Sequence, residues 1–208
     1  MKYFTFGMKK LRVTQSYNEG NHLPHWKDSK DFADYPIDIA GKDENKDEYF
    51  LPVDMKIVNI KGIGTATTNT IWLVALEKCI TPSGEFTPFI MLTHFEDNDK
   101  YINKYKIGDI VKAGNPICLE GTDGNVKNHL HMSCGNADLG LGNDMILNSN
   151  GKWVTNGYSL RPEEVMYIDR EFTEEIWGGY LPWKDKPTIN LNKATNEELI
   201  NELSKRLK

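Results

Sequence analysis

Short segments separated by turn residues are the feature that most constrains how this chain can fold. From residue 52 onward, apolar or alternating runs are interrupted at Gly62, Gly64, Pro82, Gly84, Gly108 and Gly114. Interruptions at this spacing are typical of antiparallel sheets. The candidate strands between them cover residues 55–61, 70–79, 86–95 and 110–119. The central part of the chain therefore predicts an antiparallel β-sheet domain.

The flanking regions extend this mainly β pattern and add one short helix. Residues 11–17 alternate and predict an early strand, and residues 152–154 predict a short late strand. Residues 135–150 are rich in glycine and asparagine, which predicts a long loop. Pro162 suits the first turn of a helix, so a short helix is expected near residues 161–168. The predicted fold class is mainly β, with an antiparallel sheet, long loops and a C-terminal helix.

The C-terminal helix is predicted from a capping box and an apolar stripe. Thr195 and Glu198 fit the capping box, and the stripe consists of Leu199, Ile200, Leu203 and Leu207. A helix this short does not fold alone, so it must dock on the domain, on a partner or on a further domain. The predicted organisation is a domain over residues 1–177, a Gly- and Pro-containing linker over 178–192 and an amphipathic helix over 193–208. That helix offers a basis for a homo-oligomer or an additional domain.

Composition limits the classes of function. Of the 208 residues, 39% are apolar and 26% are charged, as is ordinary for a globular protein. The formal net charge of −5 does not favour nucleic-acid binding. The three cysteines lack Cys-x-x-Cys spacing, which indicates buried thiols and not disulfides or zinc ligands. The first twenty residues resemble no signal peptide and no segment resembles a membrane span, so neither export nor a membrane partner is expected.

A His-x-His pair follows the glycine-bracketed turn at residues 121–124. The surrounding residues 128–133 alternate and predict a strand. On a strand, His129 and His131 point to the same face, about 6–7 Å apart. That arrangement suits a metal ligand beside a second imidazole that touches substrate. For an isolated His-x-His, two exposed histidines on a polar sheet face are the alternative interpretation.

Asp38 supplies a second element of a metal site. It lies among apolar neighbours in residues 35–41, which predict a short strand, and a buried acid is costly unless it is paired or bound to metal. A paired structural aspartate is the alternative interpretation. The chain has five histidines, at positions 22, 25, 94, 129 and 131. Zinc favours imidazole nitrogen and carboxylate oxygen, and a catalytic zinc keeps one position for water.

Several short motifs occur in an order that resembles a known family. They are Tyr35-Pro36-Ile37-Asp38-Ile39-Ala40-Gly41, Leu92-Thr93-His94, the Gly-Asp-Ile-Val run at residues 108–117, Gly121-Thr122-Asp123-Gly124 and His129-Leu130-His131. The ordered set, from about Val13 to Phe172, resembles the lysostaphin-like zinc endopeptidases, which cut peptidoglycan cross-links. The stretches at residues 35–38 and 151–154 are most similar to the subgroup found as bacteriophage endolysins.

The resemblance implies one Zn²⁺ ion and five site residues. His22, Asp38 and His131 would hold the ion, with water in the fourth position. His94 and His129 would be the catalytic pair outside the ligand set. One would take a proton from the water, and the other would stabilise the oxyanion or protonate the leaving amine. The sequence does not assign these two roles.

The first ligand departs from the family pattern. The family places a histidine four residues before the aspartate, where this chain has Asp34. His22 is favoured as the ligand because it directly follows the early strand and its turn, and His25 is the alternative. The loop over residues 27–34 would be an insertion, which costs little closure entropy. Asp34 as the ligand is a further alternative, but Asp34 is interpreted as a solvated loop acid.

The function expected from the resemblance is zinc-dependent endopeptidase hydrolysis of peptide cross-links in bacterial peptidoglycan, with an antimicrobial effect. As an endolysin, the protein would be made in the host cytoplasm and would act on the cell wall after release, or it would be associated with the virion. Peptidoglycan would then be its partner. The alternative from another class is a non-catalytic wall-binding or tail morphogenesis module that keeps the fold.

Overall fold

A computed structural model of the chain defines its architecture. It describes residues 1–22, 34–41, 46–62, 68–96, 101–124, 126–149, 151–178 and 182–187, together with Asn196, Ile200 and Ser204. The described part is mainly β, as the sequence predicts. Within the described residues up to 187, the helical elements are a short α-helix, α1, at Pro162–Val165 and a 3-10 turn at Gly20–His22.

Fifteen strands lie in the described residues. They are β1 Lys10–Gln15, β2 Ile37–Ala40, β3 Glu48–Phe50, β4 Met55–Lys61, β5 Thr70–Ala75, β6 Cys79–Thr81, β7 Gly84–Phe86, β8 Pro88–Thr93, β9 Ile110–Val111, β10 Pro116–Leu119, β11 Leu130–Asn136, β12 Met145–Leu147, β13 Trp153–Thr155, β14 Ser159–Leu160 and β15 Glu175–Gly178.

One large sheet organises the molecule. Its strand order is β15-β1-β2-β11-β8-β5-β4-β9, and β14 pairs with β11 beside this path. The pairing of β1 with β15 is parallel, whereas the other pairs in this sheet are antiparallel. Three small ribbons, β3–β10, β6–β7 and β12–β13, complete the strands. The expected antiparallel sheet domain is therefore present, with one parallel pair at its edge.

The alternation along β11 separates the core from the opposite face of the sheet. Leu130, Met132 and Cys134 are fully buried in the hydrophobic core. His131 and Ser133 lie between them and face the other way, because successive strand residues point to opposite faces. Burying each large apolar side chain stabilises the fold by about 1.5–3 kcal/mol. The strand that carries His131 is thus held in register by its own apolar residues. All three cysteines are free and buried, as predicted.

Some strand predictions differ from the structure in their boundaries. The predicted strand over residues 110–119 is two strands, β9 and β10, because the chain turns at Gly114, whose φ is +77°. The predicted strand over residues 70–79 ends at Ala75. The predicted loop over residues 135–150 contains β12, which pairs with β13 to form a hairpin. A short strand in a glycine-rich stretch is stabilised by its partner, which local composition does not reveal.

The C-terminal region is only partly described. Asn196, Ile200 and Ser204 are helical and exposed, and the remaining residues of 193–208 lie outside the described part of the chain. The predicted division into domain, linker and helix stays a prediction. Before the helix, Trp183 packs against the hydrophobic core, with its ring 5.2 Å from that of Phe6. Among the described residues, no helix has the length and apolar character needed to cross a membrane.

Candidate metal and catalytic centre

Three imidazoles surround the carboxylate of Asp38. Asp38 Oδ1 lies 3.0 Å from His131 Nδ1, 3.3 Å from His22 Nε2 and 3.6 Å from His129 Nε2. Asp38 and His131 are direct partners in the antiparallel pairing of β2 with β11. The sheet therefore positions both residues, while the apolar residues on either side of each point into the core.

His22 reaches this carboxylate from the 3-10 turn that follows β1. Its side chain is 4% exposed, and its Nδ1 lies 3.0 Å from the backbone oxygen of Ser16. A carbonyl oxygen only accepts, so Nδ1 carries a proton that it donates to Ser16 O. Nε2 is therefore the nitrogen that faces Asp38. A second hydrogen bond of this kind is what orients histidines that bind metal ions.

The ligand atoms of His22, Asp38 and His131 fit a zinc ion. They all lie within 4.8 Å of one another. Ligand atoms about 2.1 Å from a tetrahedral zinc are themselves roughly 3.4 Å apart. The separations of 3.3 Å and 3.0 Å measured from Asp38 Oδ1 are close to that value. Two imidazole nitrogens and one carboxylate oxygen are also the chemical types that zinc prefers.

The charge of Asp38 favours a cation at this position. Burial alone raises the pKa of its carboxyl, but hydrogen bonds from His131 and His22 outweigh burial and hold the pKa well below its ordinary value. Asp38 is therefore ionised at neutral pH. A largely buried carboxylate charge beside three imidazole rings is an arrangement that a divalent ion would stabilise.

The imidazole of His94 lies beside the rings of His129 and His131. Its ring centroid is 4.9 Å from that of His129 and 6.0 Å from that of His131. His94 Nδ1 lies 2.8 Å from the backbone oxygen of Asp123, so Nδ1 donates and Nε2 stays free. Burial, followed by the charge of His131, lowers the pKa of His94 to about 4. The imidazole is neutral at neutral pH and has an unprotonated nitrogen.

His129 has the same arrangement of its two ring nitrogens. Its Nδ1 lies 2.5 Å from the backbone oxygen of Lys127, which leaves Nε2 as the nitrogen near Asp38. A bridge between Gly121 and His129 holds the residue just before β11 begins. The structure thus brings His22, Asp38, His94, His129 and His131 into one cluster. His25, the alternative first ligand, lies outside the described residues.

The interpretation of Asp34 as a solvated loop acid is wrong. Asp34 is 1% exposed, and its carboxylate accepts hydrogen bonds from Ser133 Oγ at 2.9 Å, Ser159 Oγ at 2.8 Å and Thr155 N at 3.2 Å. It also accepts one from Tyr35 N at 2.9 Å. Four donors compensate for its burial. Asp34 is a structural acid that joins the start of β2 to three later segments.

The sequence did not reveal the groups that hold the histidine rings. They are the backbone oxygens of Ser16, Lys127 and Asp123. Every residue has a carbonyl, so its use as an acceptor leaves no mark on the sequence. The buried environment of Asp34 was missed for a related reason, because Ser133 and Ser159 are 99 and 125 residues away along the chain.

The chain is similar to solved structures at identities of 12% to 18%. No family model matches the sequence. No curated protein matches it. The solved structure of the SpoIIIAH and SpoIIQ complex includes a chain with 12% identity and a TM-score of 0.44, over 76% of this chain and 97% of that chain. LytU has 18% identity and a TM-score of 0.41, over 78% and 87% of the two chains.

A zinc-containing peptidase from Vibrio cholerae is also similar. It has 16% identity and a TM-score of 0.36, over 76% of this chain and 41% of that one. Likenesses with TM-scores this low assign neither a family nor an activity. The case for a function therefore rests on the geometry of the five residues at the centre.

Proposed function

We propose that the protein is a zinc-dependent endopeptidase that hydrolyses peptide cross-links of bacterial peptidoglycan. The observation that carries the proposal is the convergence of His22, Asp38 and His131 within 4.8 Å. Two further imidazoles, His94 and His129, lie beside this group with one free nitrogen each. The motif order along the sequence, which resembles that of the lysostaphin-like enzymes, supports the same assignment.

In this proposal His22 Nε2, Asp38 Oδ1 and His131 Nδ1 hold the ion. When bound, Zn²⁺ supplies Lewis acidity that polarises a carbonyl and lowers the pKa of a coordinated water to about 7. Ser16 keeps His22 in the tautomer that presents Nε2. Asp38 contributes the negative charge that offsets part of the charge of the ion.

His94 and His129 move protons in this proposal. Each has Nδ1 bonded to a backbone carbonyl, so each exchanges protons through Nε2. One of them accepts a proton from the attacking water, and the other donates to the leaving amine or stabilises the developing oxyanion. The fixed rings need no reorientation between these steps, which is the benefit of hydrogen bonding both of them to the backbone.

The proposed biological setting follows from the resemblance to phage endolysins. The substrate is the cross-linking peptide of peptidoglycan, and its cleavage lyses the wall. The protein is made in the host cytoplasm and reaches the wall after release, or it is carried by the virion. The resemblance to that subgroup lies in residues 35–38 and 151–154.

The test combines metal analysis with analysis of the products. Purified protein is loaded with zinc and incubated with walls from several bacteria, and the released fragments are identified by mass spectrometry. We expect about one zinc ion per chain. We also expect new amino and carboxyl termini at one peptide bond, and no products after chelation. Zinc binding without released fragments would indicate a non-catalytic wall-binding module.

Variants separate ligands from catalytic residues. Replacing His94 or His129 with alanine is expected to abolish wall hydrolysis while zinc stays bound. Replacing His131 is expected to remove both. Loss of zinc from the His129 variant would contradict the proposed division of roles.

A further inference from the structure

His94 has an uncommon backbone conformation. Its φ is +67°, and it is the non-glycine residue with positive φ in the described part of the chain. Side chains with a Cβ atom disfavour this left-handed region, so such a residue persists where its surroundings determine it by several contacts. These outliers cluster at functional sites, and His94 is placed in the proposed catalytic pair.

Asn69 holds the backbone on both sides of His94. Asn69 is 2% exposed and lies just before β5, whose first residue, Thr70, pairs with Thr93 of β8. Its backbone oxygen accepts from His94 N at 3.2 Å, and its side-chain Nδ2 donates to Phe95 O at 3.1 Å. The backbone oxygen of Asn69 also accepts a hydrogen bond from Thr93 Oγ1 at 2.7 Å. Asn69 therefore restrains both dihedral angles of His94.

Asp123 holds the side chain of His94. Its backbone oxygen lies 2.8 Å from His94 Nδ1, and its carboxylate Oδ2 accepts from Asn69 N at 2.5 Å. Asn69, His94 and Asp123 thus form a closed ring of hydrogen bonds. Gly124, with φ +83°, lets the turn approach the imidazole, because a Cβ there would lie 3.2 Å from His94 Nδ1.

We propose that Asn69 and Asp123 are positioning residues that fix both the backbone and the tautomer of His94. The acceptor at Asp123 keeps the proton on Nδ1, so Nε2 remains the nitrogen that exchanges protons. The consequence for catalysis rests on the proposed function, whereas the tautomer itself does not.

The first measurement is the tautomer of each histidine. Nitrogen-15-labelled protein, with and without zinc, is studied by NMR experiments that correlate each imidazole nitrogen with the carbon-bound protons of the same ring. The pH is set about 1.5 units above the ordinary imidazole pKa of ~6.5. His94 is expected in the Nδ1–H form. Asp123→Ala removes the carboxylate that accepts from Asn69 N, and Asn69→Ala removes the amide that donates to Phe95 O. In either variant the backbone oxygen of Asp123 is no longer held against His94 Nδ1, so a mixture of both tautomers is expected. Asp123→Asn keeps a side-chain oxygen for Asn69 N and is expected to restore the Nδ1–H form.

His22 is an internal control in the same spectra. Its Nδ1 is bonded to Ser16 O, away from the altered residues, so its Nδ1–H form should persist in every variant that folds. An Nε2–H form of His94 in the unaltered protein would overturn the proposal. So would an unchanged His94 tautomer in both alanine variants. The measurement on the unaltered protein remains decisive even where a variant does not fold.

The second measurement is the rate of wall hydrolysis. Asp123→Ala and Asn69→Ala are expected to lower kcat by about 10-fold to 100-fold, with KM and zinc content unchanged, and Asp123→Asn is expected to recover most of the loss. A fall in zinc content together with kcat would indicate a general structural role and would overturn the proposal. If no variant and no unaltered protein hydrolyses walls, the proposed function fails, while the tautomers still decide whether His94 is positioned as we infer.

Discussion

Asp38 and His131 face each other across β2 and β11, with Asp38 Oδ1 3.0 Å from His131 Nδ1. This pairing depends on the register of two strands in which each of these residues has apolar neighbours on both sides. A slip of one residue would bring Ile37 or Ile39 to the centre and turn the carboxylate into the core. The burial of Ile37 and Ile39 therefore stabilises the position of the two polar groups between which a metal ion would bind.

The first prediction concerns the alternative first ligand. Loss of a hydrogen bond that supports a metal ligand typically weakens metal binding by ~10–100-fold. His22→Ala removes a ligand atom itself, so we expect it to weaken zinc binding by more than that. His25→Ala is the matched control and is expected to keep zinc affinity unchanged. Both are measured by competition with a chelating dye. Weakened binding in the His25 variant alone would transfer the ligand role to that residue.

The second prediction concerns the buried acid Asp34. Asp34→Ala leaves the hydroxyls of Ser133 and Ser159 and the amide of Thr155 without their acceptor. We expect the free energy of unfolding to fall by about 2–4 kcal/mol, measured by urea denaturation. Asp185→Ala is the control, because that acid is exposed and its ion pair contributes at most about 1 kcal/mol. Equal stability of the two variants would contradict the structural role of Asp34.

The third prediction uses two glycines with the same backbone conformation. Gly124 has φ +83° and Gly114 has φ +77°, so alanine at either position is expected to cost about 1–2 kcal/mol of stability. A Cβ at Gly124 would meet His94 Nδ1 at 3.2 Å, whereas a Cβ at Gly114 meets nothing within 4 Å. Wall hydrolysis should therefore fall in Gly124→Ala alone. Equal rates in the two variants would show that the contact with His94 has no effect on activity.

The fourth prediction concerns pH and the buried carboxyl of Glu120. Burial raises the pKa of Glu120, although hydrogen bonds from the Asp47 and Gly41 amides oppose the rise. The folded state therefore keeps this proton to higher pH than the unfolded state does. The contribution of the protonated carboxyl to the free energy of unfolding should be lost as the pH rises from about 4.5, the ordinary pKa of the group, through its pKa in the folded protein.

Replacing Glu120 with glutamine tests this linkage. The variant carries a constant penalty, since one amide loses its acceptor, but it does not titrate. The free energy of unfolding of the unaltered protein should fall relative to that of Glu120→Gln over this pH range, measured by urea denaturation in zinc-free buffer. A constant difference between the two proteins at all pH values would rule out the raised pKa.

The sequence alone was sufficient for the mainly β class, for most of the strands and for the residue types at the centre. Strands such as β4 and β8 were predicted because turn residues flank them and because their apolar residues are visible in the sequence of the strand itself. The pairing of β1 with β15 was not predicted, since the parallel partner of Lys10 is Glu175, far along the chain. Nothing in either segment encodes that pairing by itself.

Only the tertiary structure decided how the polar residues are used. Asp38 and Asp34 are aspartates four residues apart near the same strand, yet one lies among three imidazoles and the other among two hydroxyls and two amides. The left-handed residue His94 likewise forms hydrogen bonds with Asn69, just before β5, and with Asp123, in a later turn. The chain order specifies which groups exist. Packing determines which of them meet, because a hydrogen bond depends on distances that only the folded chain defines.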